Sequence, residues 1–161
     1  MLTIRLAEAG DEEAIWAILE PVIRAGETYA LPREMSRADA LAYWWASSHQ
    51  VFVAESAGQV VGSYFLRANQ LGGGAHVGNC GYMTAAAATG QGVASAMCSH
   101  SLEQASRRGF RAVQFNFVVS TNERAVRLWQ RFGFAIVGRL PGAFLHPAHG
   151  YVDAYVMYRQ L

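Results

Sequence analysis

Residues 81–95 read Gly81-Tyr82-Met83-Thr84-Ala85-Ala86-Ala87-Ala88-Thr89-Gly90-Gln91-Gly92-Val93-Ala94-Ser95. In order, this is the end of a strand, a turn punctuated by glycine, and the opening of a helix. Gly90 and Gly92 remove side chains where the backbone must bend. The first N–H groups of the following helix have no partner inside it and stand at the positive end of its dipole. Two readings are open from these residues alone. The turn is a phosphate or pyrophosphate site, or it is a plain helix start that uses glycine for its bend.

Downstream, the spacing predicts a helix from Gly90 to Arg108. Ala94, Met97, Cys98, Leu102 and Ala105 share one face, and Gly109 is the stop. Ala112 to Val119 is a strongly apolar strand. Ser120 and Glu123 form a capping box for a helix carrying Ala125, Leu128, Trp129 and Phe132, which ends at Gly133. Phe134–Gly138 and Tyr151–Tyr158 are the last two strands. Upstream, Ala75–Thr84 is a strand in which Gly78 and Gly81 point to a bulge. Val51–Glu55 and Gln59–Arg67 form a hairpin over Ser56-Ala57-Gly58. Leu2–Leu6 alternates as a strand. Asp11 caps a helix bearing Ile15, Ile18, Leu19, Val22 and Ile23, which Pro21 should kink or end. Arg24–Pro32 reads as a loop, and Ser36 with Asp39 opens a second helix through Leu41 and Trp45. The order β-α-α-β-β-β-α-β-α-β-β predicts an α/β chain. Its sheet is mixed, mostly antiparallel, of about seven strands, with helices on both faces.

The length of 161 residues fits one domain, 1–161. Hydrophobic residues make up 52% and charged residues 16%, enough apolar surface to offset the entropy of ordering. A formal net charge of +1 gives no reason to expect a nucleic acid or an anionic membrane as partner. The cluster Arg107, Arg108 and Arg111 reads as a solvated helix end. Cys80 and Cys98 are too few for a disulfide framework, and their spacing fits no zinc site. The first residues lack a basic region followed by an apolar run, and the apolar stretches are too short to span a bilayer. The expectation is a cytoplasmic protein.

Gly90-Gln91-Gly92-Val93-Ala94-Ser95 is close to a dinucleotide-binding fingerprint, but its context differs. It follows the fourth strand rather than the first, and that strand should run antiparallel. The next strand carries no Asp or Glu to hold a ribose. The Lys-Ser/Thr pair of a Walker loop is also missing. Thr89-x-x-Gly92-x-Ala94 instead resembles the R/Q-x-x-G-x-G/A motif of the GCN5-related N-acetyltransferases (GNAT). Asn122-x-x-Ala125-x-x-Leu128-Trp129-x-x-Phe132-Gly133-Phe134 is similar to that family's second landmark, N-x-x-A-x-x-L-Y-x-x-x-G-F. The separation of the two landmarks and the order of elements also match.

The resemblance implies direct acetyl transfer from acetyl-CoA, without a metal, to the amine of a small molecule. It implies a splay between the fourth and fifth strands where the thioester lies. It places the pyrophosphate on the amides of Gln91, Gly92, Val93, Ala94 and Ser95, with Thr89 and Gly90 in the same cofactor-binding turn. Met83 and Thr84 pair with the pantetheine arm, and Asn122 and Trp129 stand beside it. Two positions depart from the family pattern. Thr89 replaces the usual Arg or Gln, so phosphate binding rests more on backbone amides. Trp129 replaces the usual Tyr, and an indole N–H is no practical acid.

For the acceptor side, Glu27 is a candidate base in the loop that covers the acceptor in this family, with Tyr29 close by. Asn79 and Asn116 stand in the two strands that bracket the expected thioester, where asparagine is poorly suited. They polarise the carbonyl, position a substrate carboxylate or hold a water that accepts the amine proton, or they are satisfied structural amides bonding the splayed backbone. The pair resembles a GNAT subgroup acting on small amino acids and analogues. Tyr82 is a hydrogen-bond donor or a core residue. Trp44 and Trp45 wall the acceptor or join the core. His146-Pro147-Ala148-His149 reads as a loop at the acceptor entrance rather than a metal site. The alternatives to a small-amine enzyme are a protein N-terminal acetyltransferase and a non-catalytic acyl-CoA-binding module. The oligomeric state is open from the sequence; the resemblance and the apolar strand Tyr151–Tyr158 offer a homodimer paired across a two-fold axis as one arrangement.

Overall fold

Alternation along the second strand sets the layering. Val51 and Val53 enter one core while Phe52 and Ala54 enter another, because successive strand residues point to opposite faces. The computed structural model describes all of residues 1–161. Seven strands form one sheet: β1 (Leu2–Leu6), β2 (Gln50–Ser56), β3 (Gln59–Ala68), β4 (Val77–Thr84), β5 (Ala112–Val119), β6 (Ala135–His146) and β7 (Gly150–Gln160). Their order is β1-β2-β3-β4-β5-β7-β6. Every neighbouring pair is antiparallel except β4 and β5, which are parallel. Helices α1 (Glu12–Ala25) and α2 (Arg37–Trp44) cover one face. Helices α3 (Val93–Arg107) and α4 (Glu123–Arg131) cover the other. This is the mixed α/β architecture expected from the sequence. No helix is long and apolar enough to cross a membrane.

Several local expectations are corrected. Pro21 does not end α1, which continues to Ala25 and is capped by Gly26. Buried Ile15, Ile18, Leu19 and Ile23 lie on both sides of Pro21, and their packing outweighs the roughly 3 kcal/mol that an interior proline costs. The predicted α3 start at Gly90 moves to Val93, because Gly90 and Gly92 sit at φ +81° and +82°, outside the helical region. Gly78 and Gly81 make no bulge, since β3 and β4 pair without a register shift through both. Gly81 serves close approach instead. A Cβ there would stand 2.8 Å from Phe65 Cζ and 3.2 Å from the Tyr29 hydroxyl. Ser120 does not cap α4. The N-cap residue is Asn122, and its side chain makes no capping bond. Strand β6 extends well past Gly138 to His146, so His146–His149 is the tip of the β6–β7 hairpin. The final strand also does not lie at a sheet edge. β7 is paired by β5 and β6 on its two sides, so it has no free edge for a second copy; the edges are β1 and β6.

The parallel ladder between β4 and β5 has only two paired positions, Val77↔Ala112 and Gly78↔Val113. One residue further on, the Asn79 side-chain nitrogen donates to the Gln114 carbonyl at 2.9 Å. A side chain therefore stands where the next rung would be, and the strands separate beyond it. β5 also shifts register against β7 between Phe115 and Val118. The split faces the start of α3, which is seated close to β3 at Gly62. A Cβ on Gly62 would lie 2.8 Å from Val93 Cγ1 and 3.0 Å from Met97 Cε. Gly62→Ala is expected to lower stability by about 1–3 kcal/mol, the usual cost of overpacking. Gly73→Ala, where a Cβ meets nothing within 4 Å, should stay within about 0.5 kcal/mol. Chemical denaturation of the two variants checks this; equal stabilities would contradict the seating of α3.

Candidate active site

A cavity of about 910 Å³ runs through the split. It reaches from the segment Thr28–Leu31 after α1, past β4 and β5, to the start of α3 and one face of α4. At the α3 end, the N–H groups of Gly90, Gly92, Val93, Ala94 and Ser95 make no backbone hydrogen bond. Left-handed glycines turn the chain so that these donors converge, and the helix dipole adds to them. The arrangement fits a phosphate-bearing ligand. Gln91 does not join it, contrary to expectation. Its N–H donates to the Ala88 carbonyl at 3.3 Å and its side chain to the Ala87 carbonyl at 3.1 Å, and it does not line the cavity.

Thr89 contributes only a short hydroxyl, 3.5 Å from the Ala85 carbonyl. The long cationic side chain missing there comes from α4. Arg124 Nη2 lies 3.2 Å from where a Cβ of Gly90 would stand, and Arg124, Arg127 and Arg131 all line the cavity. Nothing in the local sequence marks these arginines as cavity residues. They share one helical stripe, at positions i, i+3 and i+7.

The middle of the cavity is walled by Met83, Thr84, Phe115, Asn116, Asn122 and Trp129. Trp129 is 8% exposed and packs against Tyr82 and Phe115, with ring centroids 4.9 Å and 5.0 Å away. The Tyr82 hydroxyl lies 2.6 Å from Ser101 Oγ on α3, so it is engaged in the core behind β4. Burial pushes that phenol well above its ordinary range. Burial likewise pushes the Cys80 and Cys98 thiols up to about 12. Neither cysteine lines the cavity, so neither offers a thiolate there.

At the other end stand Tyr29, Tyr43, Arg67, Asn79 and Asn116. The Tyr29 hydroxyl donates to the Tyr82 carbonyl at 2.9 Å and so ties the loop after α1 onto β4. Desolvation pushes its pKa upward. Asn79 is 7% exposed; beyond its bond to Gln114, its oxygen accepts from Arg67 Nε at 3.1 Å. Asn116 lies at the β5 irregularity, donating to Asn69 Oδ1 at 2.6 Å and accepting from Gln114 Nε2 at 2.9 Å. Glu27 is exposed on the bend after α1 and is not among the lining residues. Trp44 belongs to the core, its indole N–H donating to Ser63 Oγ at 2.9 Å. His146 sits at the distant hairpin, where its Nδ1 accepts from the N–H groups of Ala148 and His149. The lining contains no Asp, Glu or His side chain. Its ionisable groups are tyrosines and four arginines.

Known proteins share this architecture. A structure of a GCN5-related N-acetyltransferase from Kribbella flavida is 45% identical, covers 99% of this chain and 98% of its own, and superposes with a TM-score of 0.95. A phosphinothricin acetyltransferase from Sinorhizobium meliloti, solved with acetyl-CoA, shares the fold at 20% identity and a TM-score of 0.86, covering 99% of this chain and 88% of its own. N-acetyltransferase aca1 of Schizosaccharomyces pombe is 32% identical over 98 residues; the match spans 60% of this chain and 47% of that protein. The model of the acetyltransferase (GNAT) family matches residues 16–134. That segment contains both sequence landmarks, the split and the cradle of free amides, and the chain belongs to the acetyltransferase (GNAT) family.

Proposed function

We propose that the protein transfers the acetyl group of acetyl-CoA to the amine of a small molecule, an amino acid or an analogue of one. One observation carries the proposal: a single cavity runs through the split between β4 and β5 and joins the amide cradle at α3 to the polar residues beside Tyr29. Acetyl-CoA would supply an activated thioester. The N–H groups of Gly90, Gly92, Val93, Ala94 and Ser95, helped by Arg124, hold its phosphates beside Thr89. Met83, Thr84, Asn122 and Trp129 orient its arm in the split. Asn116 and Asn79 stand where the acetyl carbonyl and the amine must meet. Holding both reactants in one cleft supplies much of the rate advantage. The polar side chains at the Tyr29 end of the cavity, Arg67, Asn79 and Asn116 among them, suit a small polar acceptor.

Proton handling follows from the lining. No carboxylate or imidazole is present to accept the amine proton, and the Tyr29 hydroxyl is committed to the Tyr82 carbonyl. The acceptor nitrogen therefore enters already uncharged. The departing thiol has an ordinary pKa on the order of 8 to 9 and leaves without an obligatory acid, so Trp129 in place of a tyrosine is compatible with turnover.

Three outcomes are expected. First, acetyl-CoA mixed with a panel of amino acids and small amines releases thiol with at least one acceptor. Asn116→Ala or Asn79→Ala then cuts kcat by about tenfold or more, as for loss of one positioned hydrogen bond, while calorimetry shows near-normal CoA binding. CoA binding without thiol release from any amine favours a binding module instead. Second, Arg124→Ala weakens CoA binding by about tenfold, typical of one charge-assisted contact. Unchanged affinity contradicts its placement on the phosphates. Third, kcat/KM rises about tenfold per pH unit below the acceptor's own amine pKa. Glu27→Gln leaves that profile in place; a profile that stays fixed across acceptors of different pKa, or collapses with Glu27→Gln, points to a protein base.

A further inference from the structure

Arg67 is the cavity cation that phosphate binding leaves unexplained. Arg124, Arg127 and Arg131 belong to α4, on one face of the sheet. Arg67 is on β3, on the same side of that strand as Phe65, which packs into the opposite core with α1 and α2. Its Nε donates to Asn79 Oδ1 at 3.1 Å. Asn79 is in turn pinned to the Gln114 carbonyl at 2.9 Å. The guanidinium is thus held through Nε, and Nη1 and Nη2 have no protein partner: they make no hydrogen bond, and Arg67 takes part in none of the ion pairs.

The surroundings do not neutralise this charge. The titratable groups that feel it are Tyr43 and His49. Desolvation raises the Tyr43 pKa and lowers that of His49, so both are uncharged near neutral pH. No carboxylate lines the cavity. Arg67 is half-buried, and no acidic side chain is paired with its guanidinium. Its two free N–H pairs present the planar fork that matches a carboxylate.

We propose that Arg67 binds a carboxylate carried by the acceptor, and that Asn79 is the positioning residue that aims it. The proposal rests on the acetyl-transfer reading and deepens it. The acceptor class is amines with a carboxylate close to the nitrogen, because Arg67 is joined through Asn79 to the point where the strands part. A carboxylate on Arg67 leaves a nearby amine facing the split between Asn79 and Asn116. Amines lacking an anionic group leave the fork unpaired and are poor acceptors.

The test compares each amino acid with its carboxamide, which keeps the amine and removes the anion. For the wild-type protein, kcat/KM for the acid, corrected for the uncharged amine fraction, should exceed that for the amide by about 10- to 100-fold, the range expected for one charge-assisted pair. Arg67→Gln should abolish that ratio while leaving the KM for acetyl-CoA unchanged, and Arg67→Lys should retain part of it. Because acid and amide are compared within one variant, a partly unfolded preparation does not mimic the result. A wild-type ratio near one, or a ratio that persists in Arg67→Gln, overturns the proposal. Calorimetric binding of the same acid–amide pairs to the CoA-saturated protein separates the two claims. Acid-selective binding that Arg67→Gln abolishes supports the role of Arg67 even without thiol release, in which case the transfer reading alone fails. Equal binding of acid and amide overturns the role of Arg67 whether or not transfer occurs.

Discussion

The bond from the Asn79 side chain to the Gln114 carbonyl carries the contact between β4 and β5 one residue past the end of their ladder. A backbone rung there would continue the parallel pairing and close the sheet. The side chain satisfies the Gln114 carbonyl without doing so. Asn116, further along β5, bonds only to side chains, donating to Asn69 Oδ1 and accepting from Gln114 Nε2. Polar groups need partners where a sheet is interrupted, and Asn79 supplies one while leaving the strands apart. The same two residues are the polar groups nearest the proposed reaction. Asn79 and Asn116 both stand in the hydrogen-bonded polar wall of the split.

The reagents of this site are geometry and backbone dipoles rather than reactive side chains. Its two cysteines lie behind the sheet with raised pKa values, and its tyrosines are engaged in hydrogen bonds or packed among other rings. Close approach replaces chemistry at two glycines. Gly62 lets the first turn of α3 rest on β3, and Gly81 lets Phe65 and Tyr29 lie over β4. Both bring an element close against the sheet.

The layered fold was legible because its signals are local and periodic. The alternation at Val51–Ala54 and the helical stripe from Ala94 to Ala105 each specify a face. The amide cradle was legible from Gly90 and Gly92. Pro21 misled, since a proline's local cost says nothing about the core on both sides of it. The long β6 was hidden by Pro141 and Gly142, where the ladder with β7 is irregular between Leu140 and Phe144. The cavity-lining arginines of α4 and Arg67 escape the sequence for another reason. An arginine on a helix or at a strand end looks solvated until the fold shows that it lines a cavity with no acid in it. Glu27 shows the converse, a loop carboxylate whose chain position suggested a base and whose side chain faces solvent.

A crystal structure of the protein with CoA and an N-acetylated amino acid would show where the cofactor lies. Phosphate oxygens are expected within hydrogen-bond distance of the Val93 and Ala94 N–H groups, and the CoA sulfur in the split between Met83 and Asn116. Density for CoA outside that split, or a pyrophosphate bound away from the start of α3, would contradict this placement.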